Sequence, residues 1–215
     1  MSECNASSLV SHESSSLRPK AREALKAARA VFLDAGYDGA TMDAIARVGA
    51  LSKATLYAHF SNKAALFEEL IRVECRAVNA DLYSPDPKSA AVSKELHKVA
   101  TNYRRIFAHR EGLDIFRILI PVAPRFPRLA QVFYDEGPGA AIHQIAAYLG
   151  ALGDVGRLRI PDAELAAHQF LALVTEDIKL SGALGFPSPS NRTADRLIES
   201  GIAMFLDYYK AEPKP

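Results

Sequence analysis

The stretch that decides the fold is Thr41-Met42-Asp43-Ala44-Ile45-Ala46-Arg47-Val48-Gly49-Ala50-Leu51-Ser52-Lys53-Ala54-Thr55-Leu56-Tyr57-Ala58-His59-Phe60. Thr41 and Ser52 each stand just ahead of a short apolar-periodic run. A hydroxyl there accepts a hydrogen bond from an otherwise unpaired helix N–H. They predict one helix over 42–48 and a second from Lys53 to about Phe60, joined by Gly49-Ala50-Leu51. Two helices of about two turns on so short a connection form a helix-turn-helix. Ile45, Ala46, Leu51, Leu56 and Phe60 are its apolar set. Ala46 is small where the helices cross, and Leu51 anchors the turn in the core.

Outward from this unit the chain stays helical. Pro19 suits a first helical position, where its missing N–H costs nothing. Leu25, Ala28, Phe32 and Ala35 share one helix face, and Gly36 is placed to end that helix. Ser61 or Asn62 opens a longer helix carrying Leu66, Leu70, Val73 and Ala77 on one side. Residues 89–110 read as a helix striped by Val92, Leu96, Val99, Tyr103, Ile106 and Phe107. Residues 112–120 have β-propensity but no strand nearby to pair with, so they are assigned as helix. Pro121, Pro124 and Pro127 close that element. A helix from near Phe126 is interrupted at Gly137-Pro138-Gly139 and resumes to Leu152, and helices at 161–181 and 191–210 follow. The expectation is an all-α chain of roughly nine helices, with a flexible serine-rich tail at 1–17, a three-helix helix-turn-helix domain at 18–63 and a larger helical domain at 64–215.

With its apolar set buried, the second short helix turns Lys53, Thr55, Tyr57 and His59 outward. A cation, a hydroxyl, a phenol and an imidazole all have polar atoms able to reach phosphates or base edges. The helix N-terminus adds unpaired N–H groups suited to phosphate. Arg47 on the first helix and Lys63 just beyond the second are further cations beside this face.

At these residues the sequence resembles the TetR family of transcriptional regulators. The resemblance starts near Lys20 and is strongest from Thr41 to Leu66. Its most specific part is Leu56-Tyr57-x-His59-Phe60-x-x-Lys63-x-x-Leu66, preceded by Ile45-Ala46 and Leu51-Ser52-Lys53. Two positions depart from the family pattern. Gly49-Ala50 reverses the usual Ala-Gly order, placing Ala where a Gly would relieve a positive φ. Ala54 stands where Gly is frequent, adding a methyl on the DNA side that either clashes or touches a thymine methyl.

The resemblance implies three N-terminal DNA-binding helices, a variable helical ligand-binding domain, and a dimer built on the last two long helices. The implied DNA contacts are Thr41, Arg47, Ser52, Lys53, Ala54, Thr55, Tyr57, His59 and Lys63. The implied function is a ligand-responsive repressor on a palindromic double-stranded DNA operator, its two recognition helices about one turn apart, on the order of 34 Å. The sequence agrees on its own terms at the C-terminus. Ala167, Leu171, Val174 and Ile178 on the helix at 161–181, and Ile198, Ile202, Phe205 and Tyr209 on the helix at 191–210, form apolar arcs suited to a core and a partner. Ala123-Pro124-Arg125-Phe126-Pro127-x-Leu129-Ala130, with Phe133-Tyr134 after it, resembles a subgroup of C-terminal domains within the same family. Candidate ligand-lining residues are Phe107, Phe116, Ile120, Phe133, Tyr134 and Phe170, with His143 and Glu176 as polar anchors.

Composition bounds the rest. The 215 residues are 49% hydrophobic and 24% charged, ordinary for a folded domain. Two cysteines without a CxxC, no run of about 18 apolar residues and no signal-peptide pattern give a cytoplasmic expectation without a membrane span. His97, His109, His143 and His168 are scattered, so no metal site or cofactor is expected. No GxSxG, HExxH, P-loop or GxGxxG is present, so no catalytic residue is assigned. An all-helical enzyme, and an interaction module that has lost DNA binding, are the alternative readings. The net charge of +1 hides an asymmetry: residues 18–63 carry +4, residues 1–17 carry −2 and residues 64–215 carry −1. A nucleic-acid face confined to a fifth of the chain is compatible with near-neutrality.

Overall fold

The computed structural model describes residues 18–108, 110–187 and 189–211, and within them the side chains of 108, 110–112, 176 and 177 are left aside. The tail at 1–17 and the side chain of Glu176 therefore lie outside the described residues. The helices are α1 (Pro19–Gly39), α2 (Met42–Val48), α3 (Lys53–His59), α4 (Lys63–Ala80), α5 (Val92–Ala108), α6 (Arg110–Leu119), α7 (Pro127–Tyr134), α8 (Ala140–Asp154), α9 (Ala163–Ala183) and α10 (Asn191–Tyr208). No strand forms among the described residues beyond an isolated bridge between Leu158 and Lys210.

Several boundaries differ from the sequence expectation for identifiable reasons. The described residues hold ten α-helices rather than about nine. Pro127 opens α7 instead of closing the element before it, taking the N-terminal position where no N–H is required. Gly137-Pro138-Gly139 does not interrupt the chain's helical course. A π-helical turn, Asp135–Gly139, carries α7 into α8. Pro138 lacks the N–H for an ordinary i→i−4 bond, and the wider turn accommodates it.

The chain packs as two compact units. The first takes the described residues up to Ala80 together with Asp114–Pro138. Its core joins Leu25 and Phe32 of α1, Ile45 of α2, Leu56 of α3, Leu66, Phe67 and Leu70 of α4, Ile115 of α6 and Leu129 of α7. The second takes Asp81–Leu113 and the described residues from Gly139 onward. There Leu96 of α5, Leu149 of α8, Phe170 and Val174 of α9 and Phe205 of α10 are fully enclosed. Asp162 caps α9 through Leu165 N–H at 2.9 Å, and Ser190 caps α10 through Thr193 N–H at 3.3 Å. Arg104 is buried in this unit and donates to the Val174 carbonyl at 2.7 Å. The C-terminal residues fold back: Arg159 N–H donates to the Tyr209 carbonyl, and the Tyr209 phenol to Gln169.

Candidate nucleic-acid interface

The candidate interface begins where α1 ends. Gly36 takes φ +67, breaking the helical course and turning the chain toward α2. A turn of this kind leaves carbonyls without helix partners. The ammonium of Lys63, at the start of α4, gathers three of them. Its Nζ donates to the carbonyls of Tyr37 at 2.6 Å, Ala40 at 2.9 Å and Asp38 at 3.2 Å. It also sits over the Tyr37 ring, 4.6 Å from the centroid.

Thr41 then caps α2, its Oγ1 accepting from Ala44 N–H at 3.1 Å. Ile45 and Ala46 are buried, while Arg47 and Val48 face solvent. At the turn the two small residues have separate roles. Gly49 has an ordinary φ of −80, but a Cβ there would stand 3.0 Å from the Ala27 Cβ of α1. Ala50 takes the left-handed conformation, with φ +49. The reversed Gly-Ala order thus serves close packing at the first position and carries backbone strain at the second. Leu51 N–H returns to the Ala46 carbonyl at 2.9 Å, closing the turn.

Ser52 caps α3, accepting from Thr55 N–H at 3.0 Å, and its hydroxyl pairs with that of Thr55 at 2.7 Å. Leu56 is fully buried. That fixes the rotation of α3 and leaves Lys53, Ala54, Tyr57 and Ala58 exposed, with Thr55 and His59 half-buried. Tyr57 is 49% exposed, with its ring and phenol open to solvent. The His59 ring lies 6.3 Å from that of Phe60. Lys53 Nζ donates to Asp43 Oδ2 at 2.7 Å, in an ion pair more than 60% exposed on both sides. The hydrogen bond and the charge of Asp43 raise the pKa of that ammonium above the usual lysine value.

Of the residues expected to face DNA, Arg47, Lys53, Ala54, Tyr57 and, in part, Thr55 and His59 stand outward on α2 and α3. Thr41 and Ser52 spend their hydroxyls on capping and are exposed at the helix starts. Lys63 differs from the expectation. The three protons of its ammonium are committed to backbone carbonyls, so it fastens the corner between α1 and α2 rather than offering a free charge. Sequence reading also missed Asp43 as the partner of Lys53, although an acid in the first turn of α2 was a visible signal.

The candidate ligand residues fall into both units. In the first, Phe116 and Phe133 pair at 5.8 Å between ring centroids, and Ile120 and Tyr134 are about half exposed. In the second, Phe170 is fully enclosed edge-on to Phe205 at 5.4 Å, and His143 is exposed. Phe107 lies 5.5 Å from Tyr103, with Lys179 Nζ about 6 Å from both rings. Among the described residues no group of His, Cys, Asp or Glu is placed to hold a metal ion, and no helix is long and apolar enough to cross a membrane.

Known proteins carry the same arrangement. Residues 24–70 match the bacterial regulatory proteins of the tetR family. Residues 94–211 match the C-terminal domain of AefR-like transcriptional repressors. Among solved structures, a flavonoid-responsive regulator, FrrA, is 36% identical with a TM-score of 0.83, covering 90% of this chain and 98% of that one. A TetR-family regulator from Mesorhizobium loti is 25% identical with a TM-score of 0.78, covering 89% of this chain and 97% of that one. An HTH-type transcriptional regulator of Bacillus subtilis, YdeS, is 33% identical over 95 residues, spanning 44% of this chain and 46% of that relative.

Proposed function

The chain belongs to the TetR family of transcriptional regulators, DNA-binding proteins that act as dimers and respond to small molecules, and from that premise we propose how its own residues divide the work. Helix α3 enters the major groove, with Lys53, Thr55 and Tyr57 toward phosphates and base edges and Arg47 of α2 at the groove wall. The observation that carries this is the rotation of the two capped helices. Met42, Ile45 and Ala46 of α2 and Leu56 of α3 are buried, which leaves Arg47, Lys53 and Tyr57 exposed. Lys63 holds the corner from which α2 starts. The test is fluorescence anisotropy of the full chain on a specific duplex. Tyr57→Ala is expected to weaken binding at least tenfold with the melting temperature unchanged. Binding within twofold of wild type would remove α3 from the interface.

The dimer is proposed on the outer side of α9 and α10. The arcs noted in the sequence, Leu171 and Val174 on α9 and Ile202 and Phe205 on α10, are spent inside the unit's own core. A second apolar face remains exposed, with Leu165, Leu173 and Leu180 on α9 and Leu197, Met204 and Tyr208 on α10. Exposed apolar residues at helical spacing on two paired helices fit a twofold partner. Leu173→Glu with Met204→Glu is expected to give a monomer by sedimentation, and an unchanged dimer would place the interface elsewhere.

The effector is proposed to be a planar aromatic molecule. FrrA is named for its response to flavonoids, and Tyr103, Phe107 and Lys179 join rings and a cation in the second unit. Such a set favours a flat electron-rich ligand over an aliphatic one. A thermal-shift panel of flavonoids against fatty acids of equal size tests the class. A rise with the fatty acids alone would contradict it.

A further inference from the structure

We propose that the corner between α6 and α7 is a positioning element for DNA binding, in which Phe126 and Arg125 hold the turn that delivers α2. The proposal rests on the DNA-binding reading of α2 and α3 and adds how their pose is set.

The turn in question runs from Gly36 to Thr41. Tyr37 is almost fully buried at its centre, with ring centroids 5.2 Å from Phe67 and 5.9 Å from Phe32. Lys63 fastens its backbone from the α4 side. From another side comes a segment nearly 90 residues away in sequence. Phe126 meets the Tyr37 ring edge-on at 4.9 Å, and Arg125 Nη2 donates to Asp38 Oδ2 at 2.6 Å.

The segment that brings them is itself stiff. Ala123 N–H donates to the Leu119 carbonyl at 2.8 Å and Phe126 N–H to the Val122 carbonyl at 3.0 Å, so consecutive hydrogen-bonded turns join the end of α6 to the start of α7. Val122 is buried beneath it. Helix α7 is registered on α4 through Arg128 and Glu68 at 3.1 Å, and the π-helical turn through the paired bonds of Arg76 to Glu136 at 2.8 Å. The corner is thus tied to α4 at one end and touches the α1–α2 turn at the other. Thr41 follows Asp38 by three residues, so a displacement at Tyr37 and Asp38 reaches the cap of α2 over a very short path. An exposed ion pair adds little stability. The value of Arg125 and Asp38 here is orientation, with the contact of the partly buried Phe126 ring on the buried Tyr37 ring supplying the energy.

The experiment measures the ratio of affinities for a selected operator and a random duplex, which is insensitive to overall charge, together with the melting temperature. Phe126→Ala is expected to lower that ratio at least tenfold. Val132→Ala, a buried α7 residue of the same core, is expected to lower the melting temperature while keeping the ratio within twofold. The surface variant Arg125→Asp is expected to lower the ratio about threefold or more, and Asp38→Arg in the same chain to restore it. A Phe126→Ala ratio within twofold of wild type, or an equal loss in Val132→Ala, overturns the corner's role. A wild-type ratio near one overturns the DNA-binding reading itself.

Discussion

The ammonium of Lys63 lies 2.6 Å from the carbonyl oxygen of Tyr37, across 26 residues of sequence, and stacks over the same residue's ring. This contact ties the cation of the most family-specific motif to the end of α1. Lys63→Met keeps the aliphatic stem and leaves three carbonyls without their donor. The expected loss in chemical denaturation is about 1.5–3 kcal/mol, the range for hydrogen bonds to a charged group. The slope of log affinity for DNA against log salt is expected to stay as in wild type. A slope smaller by about one would mean that Lys63 neutralises a phosphate.

The turn at Gly49 and Ala50 predicts opposite effects at adjacent positions. Ala50→Gly releases a left-handed alanine, an expected gain of about 0.5–1 kcal/mol after the extra unfolded-state freedom of glycine is allowed for. Gly49→Ala sets a methyl 3.0 Å from Ala27 and is expected to destabilise. Urea denaturation of the two variants checks both signs.

On the proposed DNA-facing role of α3, Asp43 would compete with DNA for Lys53. Breaking their exposed pair would release a cation and remove an anion beside it. Asp43→Asn is expected to tighten binding to specific and random duplexes alike, by severalfold at low salt and less at high salt, as screening requires. Anisotropy titrations at two ionic strengths read this directly, and weaker binding would show that Asp43 orients Lys53 productively.

Glu95 gives the second unit a dependence on acid. Its carboxylate accepts from the Tyr83 phenol, from the Lys98 ammonium and from Asp86 N–H. These bonds, the Tyr83 one foremost, hold its pKa at about 2. An unfolded Glu titrates near about 4.3. The folded value lies below the unfolded one, so the stabilisation is complete above about 4.3 and is lost as pH falls toward 2. Glu95→Gln is expected to be less stable than wild type at pH 7, with the difference shrinking below about pH 4.3 and vanishing below about pH 2. A constant difference across that range would contradict the assignment.

Legibility in the sequence followed the range of the interactions. Thr41 and Ser52 announced α2 and α3 because capping is local, confined to three residues. Leu56 and Ile45 announced which faces would be buried because helical periodicity is local too. The bonds of Lys63 to the carbonyls of 37, 38 and 40 had no local signal, because they depend on where α1 ends and how α4 crosses it. The contact of Phe126 with Tyr37 had no local signal at all. Leu171 and Phe205 were visible as apolar, but their burial within the unit, against the exposure of Leu173 and Met204, depends on how α9 and α10 rotate against each other. At Gly201 a Cβ would stand 3.1 Å from the Leu173 carbonyl, a closeness that periodicity does not reveal.

The most direct test of the central claim, that α2 and α3 read DNA as two copies of one head, is selection of bound duplexes from a random library by the full chain. The expected result is enrichment of an inverted repeat with half-sites spaced by a whole number of helical turns, and loss of that enrichment in Tyr57→Ala. No enriched sequence, or a single unrepeated half-site, would contradict it.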